Sequence, residues 1–119
     1  MATWNFDFLK HHILICNGST CMKNEAEQVT ESIRQAISQK GLENYIHTTR
    51  TRCNGRCKDK CVVVLYPEGI WYKQFRPSDA PSFVEALSKG VPYDQKVSHY
   101  YKNGKFKRTD YTVKGILKK

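Results

Sequence analysis

Cys53-Asn54-Gly55-Arg56-Cys57-Lys58-Asp59-Lys60-Cys61-Val62-Val63-Val64-Leu65-Tyr66 places three thiols directly ahead of an unbroken apolar run. The run is short and β-branched, and Pro67-Glu68-Gly69 closes it. That is the pattern of a strand buried on both faces rather than of a helix. Beyond the turn, Ile70-Trp71-Tyr72-Lys73 reads as the return strand of a hairpin. The cysteine stretch is therefore a loop delivered to the entrance of a buried strand.

Upstream, Tyr45-Ile46-His47-Thr48-Thr49-Arg50 is rich in aromatic and β-branched residues and reads as a strand ending just before Cys53. Before it, Ala26, Val29, Ile33, Ala36 and Ile37 recur at helical spacing. Asn24 with Glu27 predicts a capping box at the start of this helix, and Gly41 suits the position just past its end. Further upstream, His12-Ile13-Leu14-Ile15 is a short apolar run leading into the turn-forming Cys16-Asn17-Gly18-Ser19 and then Cys21. Downstream, Ser78 or Asp79 would cap a second helix with Pro81 in its first turn, with Phe83, Val84 and Leu87 inward and Gly90 as its stop.

The order is thus β-α-β-β-β-α, an α/β fold with a mixed sheet. A strand–helix–strand crossover makes its two strands parallel and is almost always right-handed. Parallel strands end on the same edge of their sheet, so Cys16 and Cys21 after the first strand meet Cys53 and Cys57 after the second. Open α/β sheets commonly bind ligands at that edge. Residues 1–11 form an N-terminal arm, 12–90 the folded domain, and 91–119 a basic C-terminal extension. Within the extension, Asn103-Gly104 between aromatic and basic residues predicts a hairpin.

The 119 residues suffice for one domain. No apolar run approaches the roughly 18 residues needed to span a bilayer, and the first ten residues lack the pattern of a signal peptide. These features place the chain in the cytoplasm with no membrane partner. Thiols there are kept reduced, so five clustered cysteines point to metal binding before disulfides. The net charge of +9 is uneven: residues 1–90 carry 12 Lys/Arg against 9 Asp/Glu, residues 91–119 carry 8 against 2. Charges more than about 10 Å away are screened at 0.1 M salt, so the tail is expected to act independently of the cysteines.

Four thiolates at one sheet edge suit either Zn²⁺ or an iron–sulfur cluster. Neither pair has the Cys-x2-Cys spacing typical of zinc knuckles, nor is the plant-type ferredoxin spacing met. Gly18 and Gly55 would let the backbone come close to a cluster and donate N–H groups to it. His11, His12, His47 and His99 all lie outside the cysteine loops, which argues against a Rieske centre. The absence of Cys-x-x-Cys argues against a dithiol redox site.

Cys16-x4-Cys21 after a strand, and Cys53-Asn54-Gly55-Arg56-Cys57 after the strand beyond the helix, resemble the thioredoxin-like 2Fe-2S ferredoxins. This family includes small stand-alone proteins and a subunit of respiratory NADH dehydrogenases and hydrogenases. The resemblance covers about residues 11–90 and includes the Val62–Tyr66 strand and its return. It implies a thioredoxin-like fold, a 2Fe-2S cluster held by Cys16, Cys21, Cys53 and Cys57, and one-electron transfer between a reductase and an acceptor enzyme. Such a protein is a carrier and not itself an enzyme. The resemblance also implies a tendency to form homodimers and, for some bacterial members, a link to cobalamin biosynthesis. The alternative is a zinc-stabilised binding module whose basic tail docks a partner or nucleic acid.

Cys61 is a fifth thiol that this motif does not use. Its simplest reading is a small buried residue at a strand entrance; its functional reading is a spare ligand. Lys23, Arg50, Arg52, Arg56, Lys58 and Lys60 surround the cysteine loops, where they would favour reduction of a bound cluster and attract redox partners with acidic surfaces. The tail's interleaved aromatics and cations could bind single-stranded nucleic acid by phosphate contacts and stacking, but such a tail is more often a solubilising extension or a partner-docking arm.

Overall fold

The computed structural model describes residues 3–118; Met1 and Ala2 of the arm and Lys119 of the tail lie outside the described residues. Strand β1 (His11–Cys16) leads through a one-turn helix α1 (Ser19–Met22) into α2 (Ala26–Gln39). Then come β2 (Ile46–Thr51), a 3₁₀ turn (Cys57–Asp59), β3 (Val63–Tyr66), β4 (Ile70–Tyr72) and α3 (Ala80–Lys89). Two further strands, β5 (Val97–Lys102) and β6 (Lys105–Arg108), complete a six-stranded mixed sheet in the order β2-β1-β3-β4-β5-β6.

The crossover through α2 makes β1 and β2 parallel, with His11 opposite Ile46 and Cys16 opposite Thr51. Strand β3 runs antiparallel to β1, pairing Ile15 with Val63. The row Ile15–Val63–Tyr72 crosses three strands on one face. Tyr72 meets Phe83 of α3 edge-on at 5.2 Å, and α3 packs on α2, so both helices cover that face. Val29, Ile33, Phe75, Phe83 and Val84 fill the space between. Val62 through Leu65 are all buried, as the apolar run requires.

The expected capping box does not form at the start of α2. Asn24 does not cap it: its side-chain amide donates to the Thr20 carbonyl at 2.7 Å and so closes α1 instead. The N-cap residue is Glu25, at φ 73°, with no side-chain cap. An Asn side chain can accept from a helix N–H or donate to a nearby carbonyl, and here the turn of α1 supplies the carbonyl.

The C-terminal region is built into the sheet. β5 pairs with β4, joining Ile70 to Tyr100 and Trp71 to His99, and Tyr93 packs its ring against Tyr72 and Phe83. The physical reason is that β4 would otherwise be an edge with a row of unpaired backbone groups. Asn103 and Gly104, both at positive φ, turn the chain from β5 into β6. No described helix is long and apolar enough to cross a membrane.

Candidate metal centre

The parallel register brings the cysteines together. Cys16 is the last residue of β1 and stands opposite Thr51 of β2, so Cys53 emerges two residues beyond that pair. The Cys16 N–H donates to the Val62 carbonyl at 3.0 Å, which puts Cys61 at the same end of the sheet. Cys16, Cys21, Cys53 and Cys57, with Gly18, Ser19, Thr20 and Arg56, line one small cavity of about 20 Å³. All five cysteines are free thiols.

The four lining thiols form two pairs of contrasting character. Cys53 and Cys57 are exposed, with sulfurs 3.5 Å apart. Two thiolates on one tetrahedral centre with bonds near 2.3 Å would stand roughly 3.8 Å apart, so this spacing suits shared coordination. The Gly55 N–H donates to Cys53 Sγ at 3.3 Å, and this bond, with help from Cys57, lowers the Cys53 pKa. Cys16 and Cys21 are buried. Burial pushes the Cys21 thiol up to about 12, the neighbouring Cys16 thiol adds to the rise, and the Val62 N–H opposes it. Cys16 Sγ donates to the Arg52 carbonyl at 3.6 Å, linking the inner pair to the second loop.

Among the described residues no three His, Cys, Asp or Glu side chains converge as a single-ion site. An inner and an outer thiol pair flanking one cavity fit a group with two metal atoms better than one ion. The donor set is also all-sulfur, which suits iron–sulfur coordination.

Gly18 permits the two loops to meet. A Cβ placed there would stand 2.8 Å from the Cys53 Cα and 2.9 Å from its nitrogen. Close approach of one loop to the other thus requires glycine here. Gly55, at φ +80°, supplies the left-handed turn within the second loop and has open space around it.

A thioredoxin-like 2Fe-2S ferredoxin from Aquifex aeolicus superimposes on the chain with a TM-score of 0.71 and 27% identity, covering 80% of this chain and 96% of that one. A Priestia megaterium chain described as a 2Fe-2S ferredoxin is 44% identical over 102 residues, 85% of this chain and 80% of its own length. The chain belongs to the thioredoxin-like 2Fe-2S ferredoxins. A 2Fe-2S ferredoxin of Clostridium pasteurianum is 29% identical over 65% of the chain and 83% of its own length. No protein-family model matches the sequence.

Within this ferredoxin, Cys61 stands apart from the lining thiols. It is buried, donates to the Asn24 carbonyl at 2.8 Å, and burial raises its pKa. The cations divide. Lys23, Arg52, Lys58 and Lys60 are exposed, while Arg50 reaches Glu31 at 3.5 Å. Arg56 turns inward, donating from Nε to the buried Asp59 carboxylate at 2.7 Å.

Sequence reasoning missed two neighbours of the site. Asp59 sits between two lysines and reads as a solvated loop residue, yet it is only 3% exposed. The C-terminal tail was expected to lie beyond electrostatic reach, but Arg56 Nη2 donates to the Val113 carbonyl. The basic charge in Asp59's surroundings was a usable signal; the tail contact, made by a backbone oxygen, had none.

Proposed function

We propose that this ferredoxin is a one-electron carrier whose 2Fe-2S cluster is ligated by Cys16, Cys21, Cys53 and Cys57. The supporting observation is the meeting of an inner and an outer thiol pair around one cavity at the shared end of β1 and β2. The cluster, when bound, would supply reversible acceptance of one electron. The protein contributes the rest. Cys53 and Cys57 bring one side of the site to the surface, where a partner can approach closely, and Cys16 and Cys21 tie the other side to the core. The Gly55 N–H stabilises negative charge on Cys53.

The carrier takes its electron from a reductase and gives it to an acceptor enzyme in the cytoplasm, and transforms no substrate itself. The exposed cations Arg52, Lys58 and Lys60 beside the outer pair favour partners with acidic surfaces, whose encounter they accelerate. Assembly as a homodimer and a place in cobalamin biosynthesis rest on the family resemblance alone.

Anaerobic purification tests the reading. A brown-red protein with two iron and two acid-labile sulfide per chain, and an electron paramagnetic resonance signal after dithionite reduction, is the expected result. Serine at any of the four lining positions should shift or abolish the visible spectrum. A colourless protein holding one zinc would overturn the proposal, and loss of the cluster in Cys61→Ser would overturn the ligand set.

A further inference from the structure

Three consecutive carbonyls near the C-terminus each accept a hydrogen bond from a cation on a different part of the fold. Lys73, just past β4, donates to Tyr111 O at 2.7 Å. Arg108, at the end of β6, donates to Thr112 O at 3.0 Å. Arg56, inside the second cysteine loop, donates to Val113 O. Thr112 is buried, and its hydroxyl lies 2.7 Å from that of Thr109. Thr109 in turn donates from its hydroxyl to Val97 O at 2.7 Å and from its N–H to Ser98 O at 2.8 Å. Chain ends are ordinarily loose unless tied down; this one is tied at every residue from 109 to 113 save Asp110.

The segment also wraps the Arg56 guanidinium. A Cβ on Gly115, at φ +71°, would stand 3.0 Å from Arg56 Nη1. Inside, Asp59 holds the Nε edge at 2.7 Å, and Arg56 itself lines the cavity with the four thiols. A planar guanidinium gripped on two edges has its orientation set. A charge held partly out of water is screened less than a mobile one on the surface.

We propose that residues 109–115 form a strap that positions Arg56 against the cysteine cavity, so that the C-terminal segment sets how readily the centre accepts an electron. This rests on the cluster reading above. The step it governs moves one electron from the reductant to the cluster, with no bond made or broken. Reduction adds one negative charge to the site, and a fixed cation beside it favours that state. Arg56 is a positioning and tuning residue, and the strap acts through it.

The test uses the full-length chain in three forms: the uncharged strap variant Thr109→Val/Gly115→Val, the variant Arg56→Gln, and their combination. One readout is amide hydrogen exchange at residues 53–57, measured in apo and cluster-loaded protein. The other is the one-electron reduction equilibrium against a mediator dye. Loosening the strap should speed exchange in the loop and lower the reduction constant by about tenfold, about 59 mV for one electron. Arg56→Gln should lower it at least as far, and the combination no further. Unchanged exchange and potential in the strap variant would overturn the proposal, as would a strap effect that persists in full in the Arg56→Gln background. Arg56→Lys, which keeps the charge without the fork, should fall between. Should the protein hold no cluster at all, the apo exchange still reports whether the strap orders the loop.

Discussion

Gly18 lies so close to Cys53 that a methyl group on Gly18 would stand 2.8 Å from the Cys53 Cα. The obstructing atoms are backbone and β-carbon, which cannot swing aside as the end of a long side chain can. Gly18→Ala should therefore force the two loops apart and destabilise the protein by about 1–3 kcal/mol, the usual range for overpacking. Gly55 fails differently. It has room for a Cβ but sits at φ +80°, so Gly55→Ala should cost roughly 1–2 kcal/mol through backbone strain. Asparagine tolerates that conformation, so Gly55→Asn should recover much of the loss while Gly18→Asn should recover none. Urea unfolding of the four variants checks this, and equal costs at both positions would contradict it.

The thiols should differ in reactivity in the reduced apoprotein. Cys53 is exposed and its thiolate is favoured by the Gly55 N–H, whereas Cys21 is buried and pushed up to about 12. Iodoacetamide in limiting amount at neutral pH should label Cys53 first and leave Cys21 and Cys61 untouched, because the thiolate is the nucleophile. Labelling of Cys53 should level off as pH rises past its lowered pKa. Peptide mapping by mass spectrometry reads the order, and early labelling of Cys21 would show that the inner pair is open.

Cys61 is predicted to matter for packing and not for the spectrum. Its thiol fills a buried place and donates to Asn24 O at 2.8 Å, across the start of α2. Cys61→Ala removes a weak donor and one heavy atom, for a loss of about 1 kcal/mol. The visible spectrum and the iron content should stay at the wild-type level.

Stability should decline on mild acidification. Burial lowers the pKa of both His12 and His99 from the ordinary 6.5, with His47 adding to the effect at His12 and Arg56 at His99. At pH values between the folded and unfolded pKa the unfolded chain binds more protons, so stability rises with pH there. The two histidines thus contribute in full above about 6.5 and lose their contribution as pH falls through it toward their folded values. Glu85, held low by Lys40, acts only below its ordinary 4.5 and leaves this window clear. Urea midpoints of the apoprotein at pH 7.5 and 5.5 should differ, and His12→Gln should narrow the gap.

The parts of the fold that were legible in the sequence are those that a single period specifies. The helical spacing of Val29, Ile33 and Ile37 gave α2, and the apolar run Val62–Leu65 gave β3; with the parallel crossover they bring Cys16 to Cys53. Helix α1 was not legible, because four residues carry no period and Ser19-Thr20 also suit a turn. The capping box does not form because Asn24 can either accept from a helix N–H or donate to the Thr20 carbonyl, and the sequence does not rank the two. The anchoring of Tyr111, Thr112 and Val113 was invisible for a plainer reason: carbonyl oxygens are the same in every residue.

The hairpin Val97–Arg108 also decides where the sheet stops. By pairing with β4 it moves the open border out to β6, whose sequence is Lys105-Phe106-Lys107-Arg108. Three positive charges on a four-residue strand repel a second copy approaching in register, which is how natural sheets keep their borders from templating aggregates. A chain that must wait in its metal-free form, with five reduced thiols and no cluster to stiffen its loops, would gain most from such a guard.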